Sequence, residues 1–317
     1  MQTVVVTGAG GYIGGQTALY FHDQNWRVIG IDERHPPGHL FNKGYFSKFL
    51  VSPFDSEESL HLIQTSEPDV IIHCAGTSLV GPSKTNPGIY YQNNFVATKT
   101  LLDFLVEKDI KTRFIFSSSA ATYGEPIMPP CREEDPPLPL SPYGESKLMT
   151  EMMLNAYIVA YGIDAVMFRY FNVCGADSKG RHGQRPGSTH IFARVLEAVR
   201  YDNEFTLLGT NLPTQDGTCI RDYIHVEDIA KAHFLAAIGT SSGVYNLSTG
   251  TGYSNKQIID TVFKVLGKTT TITKAPVRPG DPAVLTGSAE KFEKETGWKP
   301  SHNLEDIVQT VWNWYNK

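Results

Sequence analysis

The sequence has few cysteines, no long apolar run and no excess of positive charge, and each shortage excludes a class of protein. Among its 317 residues are only four cysteines, which form no C-x-x-C pair and lie far apart: Cys74, Cys131, Cys174 and Cys219. This spacing excludes a disulfide framework and the usual zinc and haem motifs. We therefore expect reduced thiols, no metal ion and a cytoplasmic location.

No stretch stays apolar over the length that a membrane-spanning helix needs, and Met1 leads directly into a strand-like run without a preceding basic segment. We therefore expect no membrane association and no secretory signal. The formal net charge of -5 argues against a nucleic-acid partner, because nucleic-acid-binding domains are usually basic.

The first half of the chain alternates short, apolar, β-branched runs with longer segments of helical periodicity. The runs are "TVVVTG", "RVIGID", "KFLVSP", "VIIHCA" and "RFIFSSS", and a sixth, "DAVMFRYFN", follows a long helix that begins near Pro142. Continuous apolar runs of this length indicate parallel strands that are buried on both faces. The alternation predicts an α/β fold: a doubly wound parallel sheet of the Rossmann type.

The second half has a different pattern and predicts a smaller C-terminal α+β domain. A charged, glycine-rich segment, "VCGADSKGRHGQRPGS", follows the sixth strand and is typical of a loop or a crossover between domains. We place the first domain at residues 1–172 and the second, substrate-binding domain at residues 173–317. The segment at about 218–240 is expected to return to the first domain.

The turn after the first strand predicts a dinucleotide site. "VVVTGAGGYIGG" places Gly8, Gly11 and Gly14 as G-x-x-G-x-x-G between a strand and a helix. Glycine permits a tight turn and a close approach of the backbone to a pyrophosphate, which the N-terminus of the helix then attracts. Asp32 ends the second strand and can bind the ribose hydroxyls, which favours NAD over NADP. Because Arg34 follows two residues later, the sequence does not exclude NADP as the cofactor.

The stretch "SPYGESK" combines a helix start with a possible catalytic base. Ser141 can cap the helix and Pro142 suits its first position, which puts Tyr143 in the first turn and Lys147 on the same face. A tyrosine has an unperturbed pKa of about 10. The lysine charge, the helix dipole and a bound NAD⁺ ring would each lower it. Ser119, at the end of the fifth strand, could donate to the substrate oxygen.

These motifs, with their order along the chain, resemble the short-chain dehydrogenase/reductase superfamily and, within it, the UDP-glucose 4-epimerase family. The shared stretches are "TGAGGYIG", "FSSSAATYG", "SPYGESK", "FRYFN", "PTQDGTCIRDYIHVEDIA" and "RPGDPAVL", across nearly the whole chain. The glycine and Y-x-x-x-K motifs occur throughout the superfamily, whereas "DGTCIRDYIHVEDIA" after "RYFN" is more specific. The resemblance implies a Ser119–Tyr143–Lys147 triad, NAD as cofactor and a UDP-sugar in the cleft between the domains.

The resemblance also implies contacts by position. Besides Asp32, Tyr143 and Lys147, the NAD contacts would be Gly8, Gly11, Tyr12, Ile13, Gly14, Asp55, Cys74, Ala75, Gly76, Asn94, Ser117 and Tyr170. The substrate contacts would be Ser119, Asn172, His190, Leu207, Arg221, Arg278 and Asp281. Arginine suits the diphosphate because its planar fork donates two hydrogen bonds to phosphate oxygens.

Three departures from the family pattern affect these expectations. Ser78 replaces a lysine that contacts NAD in many members, and "ERHPPGH" after Asp32 differs from the usual adenosine-side segment. Leu285 falls by count on the position that limits sugar size. Since a bulky tyrosine there excludes N-acetyl sugars, leucine leaves UDP-N-acetylhexosamines open as substrates.

The resemblance implies a reaction that ends as an isomerisation. Tyr143, as its anion, would take the proton from the sugar 4-hydroxyl with help from Ser119, and hydride would pass from C4 to NAD⁺. The 4-keto intermediate would turn over in the site, and hydride and proton would return to its opposite face.

Other functions stay open. A 4,6-dehydratase or a decarboxylase would need acidic residues where Ala120 and Ala121 stand. An epimerase that prefers UDP-uronate or UDP-GlcNAc is compatible with Leu285, and a non-catalytic NAD sensor is disfavoured by the presence of Tyr143. The resemblance also implies a homodimer through the helices near Asn94–Lys108 and Pro142–Tyr161.

Overall fold

The computed structural model describes residues 1–35, 40, 43–277 and 282–317. Its strands are β1 (Thr3–Thr7), β2 (Arg27–Asp32), β3 (Lys48–Val51), β4 (Val70–His73), β5 (Arg113–Ser119), β6 (Asp164–Tyr170), β7 (Asn172–Cys174), β8 (Phe205–Leu208), β9 (Ile220–His225), β10 (Gly243–Leu247), β11 (Gly252–Ser254), β12 (Ile272–Ala275) and β13 (Val284–Leu285). Its helices are α1 (Tyr12–Asp23), α2 (Glu57–Ser66), α3 (Val80–Ser83), α4 (Pro87–Tyr90), α5 (Ala97–Glu107), α6 (Pro142–Tyr161), α7 (Ile191–Tyr201), α8 (Val226–Ile238), α9 (Asn255–Leu266), α10 (Glu290–Thr296) and α11 (Leu304–Tyr315). A π-helical segment (Tyr91–Val96) joins α4 to α5, and a 3₁₀ turn (Ala120–Thr122) follows β5.

A seven-stranded parallel sheet occupies the centre, in the order β10-β6-β5-β4-β1-β2-β3. The six strands that the sequence predicts are all present, and their order, β3-β2-β1-β4-β5-β6, is that of a Rossmann fold. The α/β, doubly wound prediction is therefore confirmed. The seventh strand, β10, comes from the second half of the chain and was not predicted.

Both faces of the sheet are covered, as the continuous apolar runs require. On β1, Val4 and Val6 pack on the side of α1 and α8, whereas Val5 packs on the side of α2, α5 and α6. Phe21 of α1 and Phe234 of α8 meet edge to face, with ring centroids 5.4 Å apart. This contact docks a helix from late in the chain beside the helix that follows the glycine turn.

A smaller, mixed sheet is built around β9. Strand β9 pairs in parallel with β7 and β13 and antiparallel with β11. Strands β8 and β12 form a separate parallel pair. A second apolar core lies among α7, α9 and α11. Thus β9 belongs to the smaller sheet, whereas α8 and β10, which follow it, pack with the central sheet. In the described part of the chain, no helix has both the length and the apolar character to cross a bilayer.

Candidate active site

In the glycine turn after β1, three backbone segments approach one another so closely that they leave no room for side chains. Gly8 has φ +71°, and a Cβ there would lie 2.7 Å from the backbone nitrogen of Ala75. A Cβ on Gly14 would lie 2.3 Å from the carbonyl oxygen of Gly8. Gly11 is the N-cap of α1 and has no side chain to cap it. The turn therefore leaves the first backbone N–H groups of α1 uncapped by any side chain, as an anion site requires.

The first turn of α1 carries no acidic residue that would compete with a phosphate. Tyr12 directs its hydroxyl to the carbonyl oxygen of Gly175, 2.6 Å away, so its backbone and not its phenol faces the glycine turn. Ile13 is partly buried beside it, in the core under the sheet. These contacts fit a helix N-terminus that binds a pyrophosphate through its backbone.

Asp32 lies beside the glycine turn, as predicted. Its carboxylate accepts hydrogen bonds from the backbone nitrogens of Gly10, at 3.0 Å, and Arg34, at 2.9 Å. Asp55, the predicted adenine-side residue, is half-buried after β3. Part of the segment "ERHPPGH", residues 36–39, lies outside the described residues. The glycine cradle, the uncapped helix and the carboxylate together fit an NAD cofactor.

The cap of α6 has the predicted form and presents Tyr143 to Ser119. The Ser141 hydroxyl accepts from the backbone nitrogen of Gly144 at 3.2 Å, and Pro142 occupies the first helical position. The Ser119 hydroxyl lies within reach of the Tyr143 phenol, and hydrogen bonding between the two lowers the pKa of the phenol. The end of β5 and the first turn of α6 therefore bring together a phenol and a hydroxyl that are 24 residues apart in sequence.

The pKa of Tyr143 is shifted in the direction opposite to the one predicted from the sequence. Burial raises the pKa of Tyr143, and the hydrogen bond from Ser119 lowers it only in part. Lys147 is itself buried, and its Nζ donates to the carbonyl oxygen of Ser117, 2.8 Å away. The net shift is therefore opposite to the lowering predicted from the sequence, because desolvation outweighs the hydrogen bonding by Ser119. Burial also lowers the pKa of Lys147, to about 8.

A polar cluster lies behind the triad. The Ser117 hydroxyl lies 3.1 Å from the sulfur of Cys74 and 2.9 Å from the hydroxyl of Tyr170. Tyr170 in turn lies 2.6 Å from Nε2 of His233 on α8. Sequence analysis named the first three of these residues and missed His233. Its place on the buried face of an apolar helix gave no signal of a role.

The loop after β4 is held by Asn94. The backbone nitrogen of Thr77 donates to the Asn94 side chain at 2.7 Å, and the Asn94 amide donates to the carbonyl oxygen of Thr77 and to Ser146. Both amide hydrogens are thus used within the protein. Gly76, with φ +144°, packs so closely that a Cβ would lie 2.7 Å from Oδ1 of Asn94. Asn94 shapes the loop, on which Ser78 is exposed.

Two predicted substrate residues come together at β9. Asn172 donates to the backbone carbonyl of Asp222 at 3.1 Å, and Arg221, in the same strand as Asp222, is nearly buried. Leu285 of β13 lies opposite Arg221 in the register and packs against a small buried cluster that includes Ala120, in the turn after Ser119. The predicted sugar-size position thus joins this cluster to the strand that carries the arginine.

Two other predicted substrate residues, His190 and Leu207, belong to the smaller domain. His190 is the N-cap of α7, and burial lowers its pKa. Leu207 is buried in the core of the smaller domain, with Phe192 and Val195 of α7. Arg278 and Asp281 lie outside the described residues.

Asp222 is a buried acidic residue that sequence analysis missed. Its carboxylate accepts from the backbone nitrogen and hydroxyl of Thr249, both at 2.8 Å, and from the backbone nitrogen of Gly250 at 3.0 Å. It therefore ties β9 to the loop after β10, at the junction of the two sheets. Burial raises the pKa of Asp222 to about 6.

The Rossmann-type sheet, the glycine cradle and the Tyr143–Ser119 pair define a dinucleotide-dependent enzyme of the short-chain dehydrogenase/reductase class. The model of the NAD dependent epimerase/dehydratase family matches residues 4–248, and the chain belongs to this family. This membership confirms the prediction that the cofactor is NAD. It also confirms the family resemblance from which the candidate site residues were inferred.

Three relatives illustrate the similarity. The chain is 41% identical to the UDP-glucose 4-epimerase of Halalkalibacterium halodurans, over 99% of this chain and 96% of that protein. The UDP-glucose 4-epimerase of Bifidobacterium longum, solved in complex with NAD+ and UDP, is 32% identical with a TM-score of 0.91, over 99% of this chain and 98% of that chain. The UDP-Glc/GlcNAc 4-epimerase of Campylobacter jejuni is 33% identical with a TM-score of 0.82, over 100% and 99%.

Proposed function

We propose that this protein catalyses the NAD-dependent epimerisation of a UDP-hexose at C4. The observation that carries the proposal is the hydrogen-bonded pair of Tyr143 and Ser119, at the carboxyl end of the central sheet and in one site with the glycine cradle. Nearly full-length similarity to UDP-glucose 4-epimerases supports the same reaction. Ligands in open α/β sheets bind at this edge of the sheet.

The residues of the cradle and of the loop after β4 would hold NAD, which supplies a reversible hydride acceptor for the sugar C4. Tyr143 takes the proton from the 4-hydroxyl and later returns it, so the enzyme is unchanged after each turnover. Ser119 donates to the Tyr143 oxygen and stabilises its anion. Lys147 is held by Ser117 beneath the same site and supplies a positive charge in a desolvated place, where electrostatic interactions are strong.

The substrate domain is proposed to bind the UDP moiety. Arg221 and Asn172 lie close together along β9 and β7 and suit the diphosphate, since both offer N–H donors. Arg278 and Asp281 stay predictions for the same ligand. We propose residues 1–172 as the NAD-binding domain and 173–317 as the substrate domain, with α8 and β10 returning to the first.

The preferred sugar is proposed to include N-acetylated forms. Leu285 lies between Ala120 and Arg221, and it is smaller than the tyrosine that would close this space. The similar protein of Campylobacter jejuni is a UDP-Glc/GlcNAc 4-epimerase. This observation favours acceptance of UDP-GlcNAc as a second substrate.

We also propose a homodimer and a cytoplasmic location. Apolar side chains just before α5 and on the neighbouring helix α6 are exposed, among them Val96, Met152 and Val159. A partner subunit on this face would cover them. The four cysteines, all within the described residues, form no disulfide, which suits a reducing compartment. Sedimentation of the protein and of a Met152→Glu variant tests the dimer, since the variant should shift toward monomer.

Separate incubations with UDP-glucose, UDP-GlcNAc and UDP-glucuronate, followed by chromatographic separation of the products, test the function. We expect conversion of UDP-glucose to UDP-galactose and of UDP-GlcNAc to its C4 epimer. Conversion of none of the three would reject the epimerase proposal. Turnover of UDP-glucuronate alone would establish the uronate-specific alternative.

A further inference from the structure

A buried ion pair connects the helix of Tyr143 to the central sheet. Glu151 of α6 and Arg169 of β6 are both almost fully buried. Nε of Arg169 donates to Oε1 of Glu151 at 3.0 Å, and Nη2 of Arg169 donates to Oε2 at 2.6 Å. The two side chains therefore form a bidentate fork, which fixes their relative orientation as well as their distance.

Stability alone does not account for this pair. Two charges that leave water lose their hydration, and apolar side chains of similar size often stabilise a fold as well or better. Two residues earlier along the same faces of β5 and β6, Phe116 and Met167 lie in an apolar core that also contains Leu154 of α6. The ion pair thus replaces apolar packing at the end of this face, next to the site.

The pair holds the chain on both sides of Ser119. Before it, the Ser118 hydroxyl donates to Oε1 of Glu151 at 2.5 Å, and Ser118 lies opposite Arg169 in the register of β5 and β6. After it, the Arg169 guanidinium lies over the ring of Tyr123, 4.7 Å from the centroid. Only the three residues of the 3₁₀ turn separate Ser119 from Tyr123. The ion pair therefore contacts both segments that place the Ser119 hydroxyl.

On α6, Glu151 lies on the same face as the two candidate active-site residues of this helix. Tyr143, Lys147 and Glu151 follow one another at intervals of four residues, about one helical turn. Each meets one of the three consecutive serines at the end of β5, Ser117–Ser119. Glu151 accepts from the middle serine, Lys147 donates to the carbonyl oxygen of the first, and Tyr143 lies within reach of the last. Rotation or sliding of α6 along β5 would break these contacts together.

We propose that Glu151 and Arg169 are positioning residues for the epimerase reaction: their pair fixes the first turns of α6 against the end of β5 and so keeps the Tyr143 phenol at the Ser119 hydroxyl. The inference rests on the proposed function. Without the pair, α6 stays packed through its apolar core, but the phenol and the hydroxyl lose their fixed separation. Proton transfer requires hydrogen-bond reach, and a misplacement of about 1 Å can cost about 10²-fold in rate.

The first test replaces both charges at once. The double variant Glu151→Leu, Arg169→Met exchanges the pair for apolar side chains, so neither charge is left buried alone. We expect its urea midpoint and its NAD content to equal those of wild type. For UDP-glucose, kcat should fall about 10-fold or more, while KM changes by less than about 2-fold. A double variant that holds NAD and keeps the wild-type kcat overturns the proposal, because the pair would then serve stability alone.

Ser118→Ala decides the question where the double variant does not fold or does not hold NAD. It removes the bond from the pair to β5 and leaves the fork of Arg169 and Glu151 intact. We expect kcat to fall at least about 3-fold with KM unchanged, and Ser118→Thr, which keeps the hydroxyl, to retain the wild-type kcat. Ser66→Ala is the matched control, since it removes a buried hydroxyl that donates to the Leu62 carbonyl oxygen within α2.

A wild-type kcat in Ser118→Ala, or an equal loss in Ser66→Ala, overturns the proposal. A loss that resides in KM alone overturns it as well, because the position of the proton-transfer pair acts on kcat. A wild type that converts no UDP-sugar rejects the proposed function instead. The NAD content and the urea midpoint of each variant report on folding separately from activity.

Discussion

At the scale of single residues, proximity and burial set the chemistry of this site more than formal charge does. Tyr143 and Lys147 are four residues apart on one helix face, yet the lysine is bonded to Ser117. Its positive charge does not overcome the desolvation of the phenol, whose pKa is raised. The direct partner of the phenol is the Ser119 hydroxyl, which only the fold brings to it.

Replacement of Tyr143 by phenylalanine should abolish turnover and leave the cofactor bound. The phenol is the proposed proton-transfer group, and loss of a general base typically costs about 10²- to 10⁴-fold in rate, so we expect about a 10³-fold loss in kcat. The NAD content of the purified variant, measured after denaturation, should equal that of wild type. A variant with near-wild-type kcat would remove Tyr143 from its assigned role.

A methyl group at Gly14 should weaken NAD binding. The added Cβ would lie 2.3 Å from the carbonyl oxygen of Gly8, so the turn must open at the place where the pyrophosphate binds. We expect Gly14→Ala to bind NAD at least about 10-fold more weakly in a fluorescence titration. Gly88→Ala, at a site in α4 with open space around it, is the matched control and should bind NAD normally.

At the scale of secondary-structure elements, α8 and α11 are joined by a histidine clamp. His302, just before α11, contacts Asp228 through Nδ1 at 3.0 Å and Glu227 through Nε2 at 3.3 Å. Its ring stacks on His225, with centroids 4.0 Å apart. These groups include the residue types of a metal site, but each ring nitrogen of His302 already faces a carboxylate. The arrangement suits a protonated imidazole that donates one N–H to each of the two carboxylates.

This clamp predicts a pH-dependent stability. The two carboxylates raise the pKa of His302 to about 10, above the value of about 6.5 in the unfolded chain. The stabilisation of the fold by protonated His302 is therefore fully present below about pH 6.5 and is lost as the pH rises through about 10. His302→Gln should lower the free energy of unfolding by about 2 kcal/mol at pH 6 and by much less at pH 10.5.

Urea denaturation of wild type and His302→Gln at the two pH values measures this difference. Lys264→Gln, which removes an exposed ion pair with Glu305 of α11, is the control and should change stability by less than about 0.5 kcal/mol at either pH. An equal effect of His302→Gln at both pH values would show that the charge of the histidine does not stabilise the fold.

At the scale of the whole molecule, the site is assembled where the two sheets meet. Ser119 and Tyr143 come from the central sheet and its helix, Arg221 from the smaller sheet, and Leu285 lies between them. Asp222 ties the loop after β10 to β9 through three hydrogen bonds. The proposed sugar space is therefore a property of the junction between the two sheets.

Leu285→Tyr should narrow the substrate range. The larger side chain would occupy the space beside Ala120 and Arg221, so we expect the ratio of kcat/KM for UDP-GlcNAc over UDP-glucose to fall about 10-fold or more. Leu285→Met keeps the volume nearly constant and should leave this ratio close to that of wild type. A tyrosine variant with an unchanged ratio would place the limit on sugar size elsewhere.

Local sequence patterns were sufficient to predict the first six strands, the glycine turn and the cap of α6. Each of these depends on neighbours within a few residues: β-branched runs, glycines at fixed spacing, and a serine before a proline. Residue types and spacing also identified Asp32, Ser119, Tyr143 and Lys147 as site candidates. The roles given to Asn172, Arg221 and the other contacts stay predictions.

Which groups meet, and what charge they carry, depends on contacts between segments that are distant in the sequence. The tertiary structure added β10 to the central sheet, brought His233 to Tyr170, put Leu207 into a core and Leu285 beside Arg221. It also reversed the expected effect on Tyr143, because a pKa depends on how much water a group loses, and desolvation arises from segments far apart in the chain.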